Sequence, residues 1–259
     1  MPRPERTAQV EAVVLRHSEW GEADRLLWLY TRELGKLRCV AKGVRRVRSR
    51  KAGHLEPFTR VRLLLARGRD FWLVTQADTV DAYQPLREDL MRTGNAAYVV
   101  ELLDRFTYEE GENRSLYALL IDTLARIADP QIELFLTVRY YEIRLLDLLG
   151  FRPELFQCVS CRSEVQPQDQ FFSAQEGGVL CPNCGVNSPA TRPVSMPALK
   201  YLRHLQRSSY GDAVRAQIAP HTQQEMESLL QFYLTYLLER GLNTPDFLRE
   251  MKKSAGTVS

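Results

Sequence analysis

Arg25-Leu-Leu-Trp-Leu-Tyr-Thr31 and Lys36-Leu-Arg-Cys-Val-Ala41 are two short runs rich in aromatic and aliphatic residues, separated by Arg32-Glu-Leu-Gly35. In the second run Leu37, Cys39 and Ala41 fall on one face and polar Lys36 and Arg38 on the other, the period-two signature of a half-buried strand. Glu33-Leu34-Gly35 is short enough to close a hairpin between them. On either side of this pair, Gln9–Leu15 reads as a preceding strand, and Thr59–Ala66 and Phe71–Ala77 as two following ones joined by a turn at Gly68-Arg69-Asp70. Five strands with a long charged connection after the third, Val44–Pro57, predict a small closed barrel of the oligonucleotide-binding (OB) type, with an SH3-like barrel as the structural alternative.

That connection overlaps the most charged stretch of the chain. Lys42–Lys51 reads K-G-V-R-R-V-R-S-R-K, six cations and no acid, with Val44 and Val47 the only residues suited to burial. Desolvating even one unpaired charge costs several kcal/mol, so the segment must face water or an anion. The formal charge of the 259-residue chain is only +3. Lys36–Arg69, however, carries twelve Lys or Arg against the single acid Glu56, a net +11 that leaves −8 for the remainder. A basic block on an otherwise acidic chain is the footprint of a polyanion binder. The candidate nucleic-acid contacts are Lys36, Arg38, Lys42, Arg45, Arg46, Arg48, Arg50, Lys51, Arg60, Arg62, Arg67 and Arg69, with loop-borne Trp20 as the candidate for base stacking. A bare charge run more often marks a solvated face, and most of the neighbouring aromatics read as core. A second stripe, Lys200, Arg203 and Arg207 at helical spacing with Arg192 and Arg215 nearby, reads as an extension of a DNA path, a dock for an acidic partner, or a solvated helix face.

Helical periodicity begins after Pro85. Asp89–Tyr108 and Leu116–Ile127 carry apolar residues at helical spacing, and Asp129-Pro130 has the form of a cap followed by proline, starting a helix that runs to Leu149. Residues 71–150 hold fourteen acids and seven bases, a surface that repels DNA. Ser195-Met196-Pro197 starts another helix, followed by Gln223–Glu239 and Thr244–Met251, with a frayed tail at 254–259. The α+β, multidomain organisation expected is an OB barrel over 1–80, a helical domain over 81–150 plus 194–253, and an inserted module over 151–193.

The module carries Cys158-x-x-Cys161 and, after nineteen residues, Cys181-x-x-Cys184. Each C-x-x-C turn brings two thiolates within reach of one metal, and Phe171–Leu180 with Gly177-Gly178 can fold back as a hairpin to deliver the second pair. The reading is one structural zinc with no open position for catalysis; iron with the same ligands and two local disulfides are the alternatives. The fifth cysteine, Cys39, reads as a small buried apolar residue.

No phosphate-binding loop, H-E-x-x-H or G-x-S-x-G occurs, His17, His54, His204 and His221 are scattered, and no acidic cluster suits catalytic magnesium. The chain reads as a binder rather than an enzyme, and as intracellular, since it shows no secretory h-region and no apolar run near bilayer length. Gly21-Glu-Ala-Asp-Arg25, Thr31-Arg-Glu-Leu-Gly-Lys36, Ala41-Lys-Gly43, Pro57-Phe58 and Leu148-Leu-Gly-Phe-x-Pro153 ahead of the four cysteines together resemble the bacterial recombination mediator family RecO. The resemblance implies an OB barrel, a helical domain and a zinc module. It further implies binding of single- and double-stranded DNA, annealing of complementary strands, and a cytoplasmic, nucleoid-associated location. Partnership with RecR and single-strand-binding protein, so that RecA is loaded on coated DNA, is implied as well. The rival readings are a zinc-containing interaction adaptor and an RNA-binding factor.

Overall fold

The structure is a computed structural model that describes residues 6–109, 111–239 and Leu248. The helix expected over Thr244–Met251 and the tail 254–259 lie outside the described residues, Leu248 apart. Packing divides the described residues into two compact units, one of residues 6–130 with Leu248 and one of residues 131–239.

The first unit contains β1 (Thr7–Trp20), β2 (Asp24–Thr31), β3 (Gly35–Ala41), β4 (Arg60–Arg67) and β5 (Trp72–Asp81). They close in the order β1-β2-β3-β5-β4, with β1 pairing back onto β4 and β3 meeting β5 in parallel through Cys39–Trp72 and Val40–Leu73. This is the expected five-stranded, OB-like barrel. Alternation fills its interior with Val10, Ala12, Val14, Leu27, Leu29, Leu37, Cys39, Val61, Leu63, Leu65 and Val74. Burial pushes the Cys39 thiol up to about 12, so it sits there as a neutral apolar group. β1 extends five residues beyond its expected end, because His17–Trp20 continue the hairpin ladder against Leu27–Asp24 past an irregularity between Val14 and Arg16. Trp20 is therefore the last residue of a strand rather than part of a loop.

Helices α1 (Leu90–Phe106) and α2 (Arg114–Ala128) complete this unit. The Asp89 carboxylate caps α1 by accepting the Met91 and Arg92 amides, and Asn113 caps α2 by accepting that of Leu116. α1 packs on β1 and on α2. Tyr117 Oη donates to Glu11 Oε1 at 3.1 Å, joining α2 to β1.

The second unit begins with α3 (Leu134–Leu148), whose cap is Glu133 and not Asp129. The Asp129 amide is already used to close α2 on the Ala125 and Arg126 carbonyls, and Arg92 donates to the carbonyls of Ile127, Asp129 and Pro130. Pro130 therefore lies in a turn, and Glu133 accepts the first free amides, those of Phe135 and Leu136. Beyond Gly150 follow β6 (Gln170–Ser173), β7 (Gly178–Leu180), the short α4 (Pro182–Gly185) and β8 (Thr191–Val194), a three-stranded sheet in the order β7-β6-β8. The hairpin expected over Phe171–Leu180 is β6–β7. α5 (Met196–Arg207), capped by Ser195 as expected, α6 (Tyr210–Ala213) and α7 (Pro220–Leu238) pack with α3. Among the described residues no helix is long and apolar enough to cross a membrane.

Candidate nucleic-acid interface and metal centre

The basic connection is held at both ends and along its length. Val44 and Leu55 are buried in the barrel core, while Val47 is fully exposed. The Gly43 amide donates to Asp24 Oδ1 at 2.7 Å and the Arg45 amide to the Ala23 carbonyl at 2.9 Å. Two tight turns follow, Arg46 N–H to Gly43 O and Ser49 N–H to Arg46 O, and Lys51 Nζ reaches the Val74 carbonyl at 3.0 Å. Burial draws the Lys51 ammonium below its usual range, opposed by the Asp24 charge. The turns leave Lys42, Arg45, Arg46, Arg48 and Arg50 exposed.

The twelve barrel cations fall into two groups. Lys36 Nζ contacts Asp104 at 2.6 Å and donates to the Thr107 carbonyl, and Arg38 pairs with Glu109. Arg45 pairs with Glu19 at 3.0 Å, and Arg60 Nε donates to Glu11 at 2.8 Å. Burial raises the Glu11 carboxyl, but Arg60 and the Tyr117 hydroxyl outweigh it and hold it below the usual carboxylate range. Lys42, Arg46, Arg48, Arg50, Arg62 and Arg69 have no carboxylate within ion-pair distance among the described residues, and Arg67 lies over the Trp72 ring at 5.0 Å. Trp20 is 46% exposed, with Phe71 edge-on at 6.0 Å. The signals for partners such as Glu109 are non-local in sequence, which is why counting charges along the chain missed them.

The second stripe is largely engaged within its own unit. Arg203 Nε donates to the Leu155 carbonyl at 2.8 Å, and the Arg203 and Arg207 guanidiniums lie 5.1 and 3.7 Å from the Phe156 ring centre. Arg192 donates to Ser228 Oγ and stacks on Phe232, and Arg215 pairs with Asp212 at 3.6 Å. Lys200 is exposed and has no such partner among the described residues.

The four module cysteines converge, their sulfurs all within 4.8 Å of one another. Val159 N–H to Val179 O ties the first C-x-x-C turn to β7, and Cys181 opens α4 with Pro182 at its first position. All four are free thiols, which sets aside the disulfide alternative here. Cys161 and Cys181 sulfurs are 3.8 Å apart, close to the roughly 3.8 Å edge of a tetrahedron with 2.3 Å metal–sulfur bonds. The Cys181 amide donates to Cys158 Sγ at 3.3 Å, the kind of bond that steadies a thiolate ligand. Hydrogen bonding from Ser163 draws the Cys161 thiol down to about 6, whereas the Cys181 sulfur pushes Cys184 up to about 12. Four thiolates cannot share this space uncompensated, and a cation at their centre would ionise them all. The donor set fits a bound metal.

Residues 6–83 match the family model described as recombination protein O N terminal, and residues 87–246 match that described as its C terminal. A relative from Roseiflexus sp. (strain RS-1), named DNA repair protein RecO, is 41% identical over 98% of this chain and 89% of its own length. Relatives with the same name from Desulforudis audaxviator (strain MP104C) and Dehalococcoides mccartyi (strain CBDB1) are 39% and 34% identical, over 94% and 90% of this chain and 96% and 91% of their own. Matched from the barrel through the cysteine cluster to the last helix, the chain belongs to the RecO family.

Proposed function

We propose that this chain is a DNA-binding mediator of recombinational repair that grips single- and double-stranded DNA and anneals complementary strands. The observation that carries the reading is the row of exposed, carboxylate-free arginines Arg46, Arg48 and Arg50, on turns anchored to an OB-like barrel in a RecO-family chain. Lys42, Arg62, Arg67 and Arg69 extend the same contact, and Lys36, Arg45, Lys51 and Arg60, engaged within the barrel unit, act as its framework.

Annealing on this surface requires no catalytic residue. Two strands repel through their phosphates; a protein that neutralises both raises their local concentration and lets base pairing supply the free energy. The exposed arginines hold phosphates, and Val44 and Leu55 fix the loop so that less conformational entropy is lost on binding. The second unit holds one structural zinc through Cys158, Cys161, Cys181 and Cys184, which fixes the fold of the module. As implied for the family, the working partners are RecR and single-strand-binding protein, and the outcome is RecA loaded on coated single strands in the cytoplasm, at the nucleoid.

The test is strand annealing followed by fluorescence quenching, with the triple reversal of Arg46, Arg48 and Arg50 to Glu beside the wild type. The reading expects annealing to disappear while the thermal melt is unchanged. A folded reversal variant that anneals normally, or a wild type that prefers structured RNA to DNA, overturns it.

A further inference from the structure

One cleft of the barrel unit holds about 390 Å³ and is lined by Phe71 and Trp72, by the cations Lys36, Arg38 and Arg67, and by the acids Glu33, Asp70, Glu109 and Glu112. That volume lies within the few-hundred-Å³ range of small-molecule sites. Its chemistry is uneven. Phe71 and Trp72 offer aromatic surface, and the guanidiniums of Arg38 and Arg67 stand 5.8 and 5.0 Å from their ring centres. Arg67 has no carboxylate partner among the described residues. Arg38 does, and the contact is two-pronged: Nε faces one Glu109 oxygen and Nη2 donates to the other at 3.3 Å. A guanidinium fork that grips a carboxylate in this way matches two phosphate oxygens equally well.

Glu109 is brought there by the backbone. The segment leaving α1 lies beside β3, with Lys36 bridging to Glu109 in parallel and Lys36 Nζ donating to the Thr107 carbonyl at 3.1 Å. Both members of the Arg38–Glu109 pair are more than 40% exposed, so the pair itself contributes little, on the order of 0–1 kcal/mol. A polyanion can replace such a partner.

We propose that this cleft is a subsite for one unpaired nucleotide of a single strand, with the base against Phe71 and its phosphate taking the place of the Glu109 carboxylate on Arg38. The inference rests on the single-strand binding proposed above and adds to it a site that discriminates between strand types. A duplex keeps its bases stacked on each other and has none to offer, whereas a single strand gains a stacking partner. Glu109 acts as an internal counter-ion that keeps Arg38 neutralised until a phosphate arrives, so weak anions do not occupy the site.

The experiment measures binding of a fluorescent oligothymidine and of a duplex of equal length to the full chain across a salt series. Phe71→Ala and Phe71→Leu should each weaken single-strand binding about tenfold and leave duplex binding unchanged, the retained duplex affinity serving as the check on folding. Glu109→Gln should tighten single-strand binding about threefold and steepen its salt slope by about 0.7. Glu88→Gln, the same charge change at an exposed acid without a cation partner among the described residues, is the control. Single-strand binding unaffected by either Phe71 variant, equal losses on both strand types, or a Glu109→Gln effect no larger than that of Glu88→Gln overturns the subsite. Reversal of Arg46, Arg48 and Arg50 in the same series separates the two levels: DNA binding that depends on those arginines but not on Phe71 removes only the subsite. A wild type that binds neither DNA removes the DNA reading, and the subsite with it.

Discussion

Glu11, Arg60 and Tyr117 show why a cation in a basic block need not be free to meet an external anion. Glu11 on β1 receives Arg60 from β4 and the Tyr117 hydroxyl from α2, so one carboxylate ties together two strands and a helix. Its pKa is depressed on folding, which means its stabilisation is present above the ordinary value near 4.5 and is lost as pH falls through the lower folded value. Glu56 behaves alike: burial raises its carboxyl, and Arg25 and His17 outweigh that and lower it. Glu11→Gln should therefore cost about 1 kcal/mol at neutral pH. It should also flatten the loss of stability as pH falls below the ordinary value near 4.5, measured by urea denaturation across pH. A variant as acid-sensitive as the wild type would show that the triad does not carry this linkage. Arg60→Ala should weaken the fold by a similar amount while leaving the salt dependence of DNA binding unchanged.

At the scale of elements, the cysteine module makes the sharpest predictions. The purified chain should carry one zinc, and Cys158→Ser, which removes the buried ligand, should release it and open residues 151–193 to proteolysis while the barrel still melts as before. Gly185→Ala should destabilise the same module without altering a ligand, because a Cβ there meets the Phe171 ring inside van der Waals distance. The strands and the four-cysteine cluster were legible in the sequence because their determinants are local: alternation in Leu37–Ala41, hairpin turns, and paired C-x-x-C spacing. Ser195-Met196-Pro197 was legible for the same reason. Asp129-Pro130 was misleading because a cap is decided by which amides remain free, and Arg92, thirty-seven residues away, holds that backbone as the end of α2. Likewise Lys36, Arg38 and Arg60 look unpaired when charges are counted along the chain, and only the approach of Asp104, Glu109 and Glu11 from other elements shows their partners.

Over the whole molecule, the separation of charge remains the central physical fact. The acidic majority of the chain supplies partners for some of the basic block, leaving Lys42, Arg46, Arg48, Arg50, Arg62, Arg67 and Arg69 without a carboxylate partner among the described residues. Engagement of about five phosphates by this set predicts that log K for single-strand binding falls with log salt at a slope of roughly −3.5. The most direct test is that slope, measured for the wild type and for the variant with Arg46, Arg48 and Arg50 changed to Glu. Its magnitude should fall to about 1.4 as three contacts are lost, with the melting temperature unchanged. A folded variant whose slope equals that of the wild type would contradict it.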